Sequence, residues 1–451
     1  MKKKALKTGT KVVESSFVLS FILITSLFFL WGVANDMTNP MVSAFKKVMP
    51  ELTNMQASFV QLAFYGGYAT MAFPAALFIR RFSYKSGILL GLALYAIGAL
   101  LFYPAAKFED FGFFLASLYI LTFGLAFLET TSNPFILSMG SPETATRRLN
   151  LSQTFNPLGS FVGMLVAQLF VIKLLKSSEY TPQTYNILAE TEKAAIRTHD
   201  LNLISTPYIA LGIFILLIFL LVALVKMPKQ QTSDALSIKE ALKKLFSNKR
   251  YYEGLVAQIF YVGAQIMCWT FIFQYVDNLN SGRPENAQLT ATWYNMLAMC
   301  AFFFGRASST YLMKFINPAK LMLIFAVMAM MLTIGVIFIV GLPGLYCLVG
   351  ISVTMSLMFP TIYGLALKDM GDEAKLGSAG LVMAIVGGAL MPPIQGRILD
   401  IGGSGFADKL FFGYIPEVNM SFALPLISFL VVAIYSYRSL KYHNHLLSCH
   451  G

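Results

Sequence analysis

Two carboxylates stand where charge is expensive. Asp36 and Glu129 fall well inside long apolar runs of this 451-residue chain, and a charge at the centre of a membrane-spanning helix costs about 2.5–3.5 kcal/mol on insertion scales. Burial penalises the charged form of a carboxylate, so such a group can take up and release a proton as its surroundings change. Proton coupling is the chemistry these two residues suggest. The competing reading is structural: each carboxylate is held by a hydrogen bond within a helix bundle, or by Arg306, the one base placed inside a span. Glu253, Asp277 and Asp369 lie nearer span ends.

Uncharged polar residues form faces of their own. Gln258, Tyr261, Gln265 and Trp269 are spaced by three, four and four, so they share one side of a helix. Asn150, Gln153 and Asn156 recur every three residues, Asn35 and Asn39 are four apart, and so are Glu129 and Asn133. Amides beside Trp or Tyr suit a sugar, whose hydroxyls need donors and acceptors and whose C–H faces stack on rings. A single amide serves equally well as interhelical glue, worth about 0.6 kcal/mol. Four such faces from different helices favour a polar cavity.

The elements that must position these residues are transmembrane helices. Apolar residues make up 57% of the chain and charged ones 12%, against about 25% charged in a soluble domain, which excludes an ordinary cytosolic enzyme. The first apolar run, near 17–34, follows Lys2, Lys3, Lys4, Lys7 and Lys11 without a small-residue cleavage site, so it is expected as a retained helix. Further runs near 54–79, 86–104, 111–139, 148–171, 202–225, 251–276, 288–313, 320–341, 344–367, 375–400 and 410–437 complete twelve spans. The expected fold is all-α and polytopic, with two six-helix halves, 1–225 and 251–451, joined by a basic linker, 226–250. On the side of the N-terminus lie 23 of the 34 Lys and Arg residues, against 10 on the other side, so both termini and the linker are expected in the cytoplasm. The +12 net charge is then a topological signal, and nucleic acid is not an expected partner.

The halves repeat weakly at an offset near 230 residues. Arg148-Leu149-Asn150 leads into Gly159 and Gly163, as Lys375-Leu376-Gly377 leads into Gly387 and Gly388. Small residues at such positions let helices approach closely, and a repeated six-helix unit is the layout of a rocking transporter with a site near the midplane. Asn39-Pro40, Asn133-Pro134, Asn156-Pro157, Phe359-Pro360 and Pro392-Pro393 mark kinks or helix ends. Cys268, Cys300, Cys347 and Cys449 show no paired spacing; His443, His445 and His450 cluster in the tail, and His199 is expected in a loop. No metal site, cofactor or enzymatic motif is expected.

Several blocks carry a resemblance. Phe28-Phe29-Leu30-Trp31-Gly32-Val33-Ala34-Asn35, Leu128-Glu129-Thr130-Thr131-Ser132-Asn133-Pro134-Phe135, Leu149-Asn150-Leu151-Ser152-Gln153-Thr154-Phe155-Asn156, Tyr261-Val262-Gly263-Ala264-Gln265 and Phe359-Pro360-Thr361-Ile362-Tyr363 resemble the fucose:proton symporter family of the major facilitator superfamily, and within it the bacterial L-fucose permeases. The resemblance covers all twelve spans. It implies that Glu129 is a substrate-linked carboxylate, that Gln153, Asn156 and Trp269 line the cavity, and that Arg306 matches a basic residue of the eighth helix. The first helix departs from the family pattern. The family's proton-binding aspartate aligns with Asn39, while Asp36 stands three residues earlier, about one turn away, so the carboxylate is expected to have moved by a turn with its role kept.

The resulting expectation is proton-coupled import of L-fucose or a related monosaccharide by alternating access, by a monomer in the bacterial inner membrane, with the sugar, protons and the lipid bilayer as partners. Expected proton-coupling residues are Asp36 and Glu129. Expected substrate contacts are Asn35, Asn39, Glu129, Asn133, Gln153, Asn156, Gln258, Tyr261, Gln265, Trp269 and Tyr363, with Arg306 as a structural or gating charge. A hexose or N-acetylglucosamine symporter is the near alternative. A proton-linked drug exporter is the distant one, for which Gly159-Ser160-Phe161-Val162-Gly163 is only a fragment of the usual signature.

Overall fold

The structure is a computed structural model that describes residues 12–38, 41–49, 52, 54–180, 184–185, 187–225, 227, 237–371, 373–399, 401 and 409–449. Eleven helical segments among them are long and apolar enough to cross a bilayer. The eighth expected span is also helical, Ala291–Leu312. Its 22 residues, at about 1.5 Å each, reach across a hydrocarbon core of about 30 Å; Asn295, Arg306, Ser309 and Thr310 lower its apolarity, and all four are buried. Twelve spans are thus in place.

Two expectations are corrected at the edges. Span six starts at Glu190 rather than near 202, because the charged stretch through Arg197 still carries helix formers and continues the helix beyond the apolar run. His199 is therefore helical, not in a loop, and its Nδ1 lies 2.9 Å from the Asp200 carboxylate, which accepts the Lys176 and Ser177 amides. Span twelve begins at Glu417, after a two-stranded hairpin of Leu410–Phe411 and Ile415–Pro416. The polar linker contains a short amphipathic helix, Ile238–Ser247, opened by a reciprocal Ser237/Glu240 capping box.

The chain folds as two compact units. One comprises Ser16–Phe135 and Leu158–Ala235; the other comprises Met1–Ser15, Ile136–Pro157 and Leu236–Gly451. The end of span four and the start of span five thus group with the last six spans. Within that unit Arg148 is fully buried and donates from Nε to Ile136 O (2.7 Å), from Nη2 to Leu137 O (2.5 Å) and from Nη1 to Val12 O (2.8 Å). It satisfies carbonyls that span four leaves open at its C-terminus. Lys85 does the same for span six in the other unit, with Nζ 2.8 Å from both Ala223 O and Val225 O. Basic residues that the sequence marks as orientation signals also close helix ends.

Glycines set the closest helix crossings. A Cβ on Gly159 or Gly163, in span five, would collide with the carbonyls of Phe29 or Val33 in span one. At the repeat-related place, a Cβ on Gly387 in span eleven would collide with the Ile259 carbonyl in span seven. One turn on, the partners exchange sizes: Gly263 of span seven receives Met391 of span eleven. The same crossing is built twice, in agreement with the repeat read from the sequence. Gly159→Leu should overpack the first crossing by at least the ~1–3 kcal/mol usual for a filled core and lower the melting temperature in detergent. Gly396→Ala, with nothing within 4 Å of the added Cβ, should not; equal melting curves for the two would refute the crossing as a stability determinant.

Candidate functional site

In the unit containing Ser16–Phe135, span one carries Asp36, 6% exposed, next to a half-buried Asn35. Span four carries Glu129, partly open, and Asn133, fully buried one turn later. In span two, Tyr65 lies in the field of Asp36 and Tyr68 in that of Glu129. Glu129 makes no ion pair or hydrogen bond with the described residues. A carboxylate in the middle of a span, partly open and unpaired, is tolerable only facing water or a polar ligand rather than lipid. Trp31 is buried with its indole N–H unpartnered, four residues before Asn35 and so on the same face. Asn39 lies outside the described residues.

Tyr65, Tyr68 and Trp31 were not singled out by sequence reasoning as site residues. The signal existed for Trp31, at helical spacing from Asn35. For the two tyrosines it did not, since three-apart aromatics in a span are ordinary membrane composition.

The other unit holds the amide faces. Asn150 is fully buried, with Nδ2 2.9 Å from Thr146 O and 3.2 Å from Thr361 Oγ1, so it joins spans five and ten. Gln153 is buried and Asn156 half-buried on the next two turns. The span-seven face docks largely on span ten. Tyr261, fully buried, donates to Met355 O at 3.0 Å, and Trp269 Nε1 donates to Ser352 Oγ at 3.2 Å while its ring packs edge-on against Phe302 at 5.1 Å. Gln265 is half-buried on the same face. Tyr363 is fully buried, shares a hydrogen bond with Ser378 of span eleven and stacks on Phe359. Asn295, which the sequence did not mark, donates to Trp269 O at 3.2 Å where span seven breaks.

Gln258 differs from its neighbours. It is fully buried, yet neither amide atom has a hydrogen-bond partner. A buried amide left open in this way wants a ligand hydroxyl or an ordered water. Arg306 is the remaining charge: 3% exposed, it donates from Nε to Ser356 O at 2.5 Å and from Nη1 to Gln153 O at 3.0 Å, and lies 4.6 Å over the Phe302 ring. Among the described residues no three His, Cys, Asp or Glu side chains gather as a metal site.

The model of the Major Facilitator Superfamily matches residues 16–392. The L-fucose-proton symporter of Haemophilus influenzae is 54% identical over 438 residues, covering 96% of this chain and 99% of that protein. The L-fucose-proton symporter of Escherichia coli is 35% identical over 433 residues, covering 93% of each. Among solved structures, the major facilitator transporter FucP in the outward conformation superposes with a TM-score of 0.82 at 32% identity, covering 94% of this chain and 99% of that one.

Because Gln258 has no partner to lose, Gln258→Leu should leave the melting temperature unchanged or raise it. A clear fall in a thermal melt would show that the amide holds the bundle together instead.

Proposed function

The chain belongs to the major facilitator superfamily, and from that premise we propose that it imports L-fucose or a closely related monosaccharide together with a proton. It is a transporter rather than an enzyme, as its relatives are. It works as a monomer spanning the bacterial inner membrane, with both termini in the cytoplasm. The observation that carries this reading is the pair of intramembrane carboxylates, Asp36 nearly closed off and Glu129 partly open, in a chain whose full-length relatives bear the name L-fucose-proton symporter.

The roles divide by environment. Asp36, nearly closed off, is the proton carrier: charged, it resists enclosure in a low-dielectric interior, and neutral, it permits it. Glu129, partly open and one turn from Asn133, accepts hydrogen bonds from sugar hydroxyls. In the same unit Asn35 and Asn133 supply further donors and acceptors and Trp31 a face for the sugar's C–H groups; in the other unit Gln153, Asn156, Gln258, Gln265 and Trp269 are the candidate sugar contacts. Inward proton movement adds about 2.3 kcal/mol per 100 mV of membrane potential, which makes uptake concentrative.

Asp36→Asn should abolish accumulation driven by an imposed pH gradient in proteoliposomes while sparing sugar counterflow. Continued accumulation against a gradient would remove Asp36 from the coupling role. Glu129→Gln, which replaces a charge-assisted hydrogen bond worth about 1.5–3 kcal/mol by a neutral one worth about 0.5–1.5 kcal/mol, should lower L-fucose affinity roughly five- to tenfold. In a competition panel of L-fucose, D-galactose, D-glucose and N-acetylglucosamine, L-fucose is expected to compete best; preference for another member would reassign the substrate.

A further inference from the structure

Two spans are interrupted in the same way, and one side chain answers both interruptions. Span five is helical over Ala145–Gln153 and again from Phe155, with Pro157 as the third residue of the second piece. Span ten is helical over Leu342–Met355 and again from Met358, with Pro360 as the third residue of its second piece. A proline has no N–H, so the carbonyl four residues before it loses its helical donor. Those carbonyls belong to Gln153 and Ser356. They are the two that Arg306 reaches, at 3.0 Å from Nη1 and 2.5 Å from Nε.

In a membrane protein such freed carbonyls must be satisfied from inside the fold. The neighbouring groups are already committed: Tyr261 donates to Met355 O, Thr361 N returns to Leu357 O at 3.2 Å, and Thr154 N turns back to Asn150 O at 3.0 Å. A planar guanidinium with five fixed donors can serve two carbonyls on different helices at once, which a single ammonium on a flexible stem does less well. Among the described residues Arg306 pairs with no carboxylate; its charge is met by carbonyl dipoles and the face of Phe302.

We propose that Arg306 is a positioning residue that replaces the two backbone donors removed by Pro157 and Pro360, and thereby fixes the Gln153–Asn156 turn that presents amides to the substrate. The proposal deepens the sugar-transport reading by naming what holds part of the binding surface in place. It accounts for a buried charge that pairs with no acid, and for the matching place of the prolines in two different spans.

The test is rescue by restoring the backbone donors. Arg306→Met should lower the melting temperature and raise the half-saturating L-fucose concentration at least tenfold, and Arg306→Lys should do both more mildly. Adding Pro157→Ala and Pro360→Ala to either variant returns an N–H to each stranded carbonyl and should recover at least half of both losses. The two proline replacements alone should change affinity less than about threefold. If the prolines' removal rescues neither Arg306→Lys nor Arg306→Met, or if Arg306→Met matches the unmodified protein, the proposal is overturned. The melting-temperature arm needs no substrate, so a failure of the sugar reading, seen as no L-fucose uptake by the unmodified protein, stays distinguishable from a failure of this one.

Discussion

Inside a bilayer there is no water to accept a broken backbone hydrogen bond, and this constraint explains more of the structure than any single contact. Three of the spans that build the site are not continuous helices. Span five breaks after Gln153, span seven at Phe271 and span ten at Ser356–Leu357. At each break a side chain supplies what the helix lost: Arg306 for Gln153 O and Ser356 O, Tyr261 for Met355 O, Asn295 for Trp269 O. The end of span four depends on Arg148 for the same reason. Polar residues in the spans thus do two kinds of work, completing backbone and meeting substrate, and the difference between them is whether a carbonyl lies within reach.

That distinction sorts the amide-and-aromatic face of span seven. Tyr261 and Trp269 are engaged with span ten, so their hydroxyl and indole N–H are spent on the fold. Gln258 has neither amide atom engaged, which leaves its capacity for a ligand. Around the carboxylates, Glu129 is partly open and makes no ion pair among the described residues, while Asp36 is nearly closed off. One group suits contact with a hydroxylated substrate and the other a change of charge. Proton and sugar can act on different residues while bearing on one helix bundle.

Much of the architecture is legible in the chain. Twelve spans follow from apolar runs, and the repeat follows from glycines at matching places; Gly159 and Gly387 take equivalent crossings against Phe29 and Ile259. What the sequence hides is partnership. Arg306 reads as an isolated charge, because its acceptors are backbone carbonyls on two other spans and carbonyls leave no trace in residue identity. Arg148 reads as an orientation signal, although its guanidinium closes span four and also reaches Val12 O. Tyr65 and Tyr68 are unremarkable in a span until the fields of Asp36 and Glu129 that reach them are known. The start of span six is missed because the helix continues past the edge of its apolar run, and hydropathy marks the membrane rather than the helix.

Sugar and proton moving together is the central claim, and it is read most directly as a proton flux caused by sugar. With the protein in proteoliposomes under no imposed gradient, addition of L-fucose outside should alkalinise the external medium at a rate that tracks labelled sugar entry. Sugar entry with no accompanying alkalinisation would contradict the account.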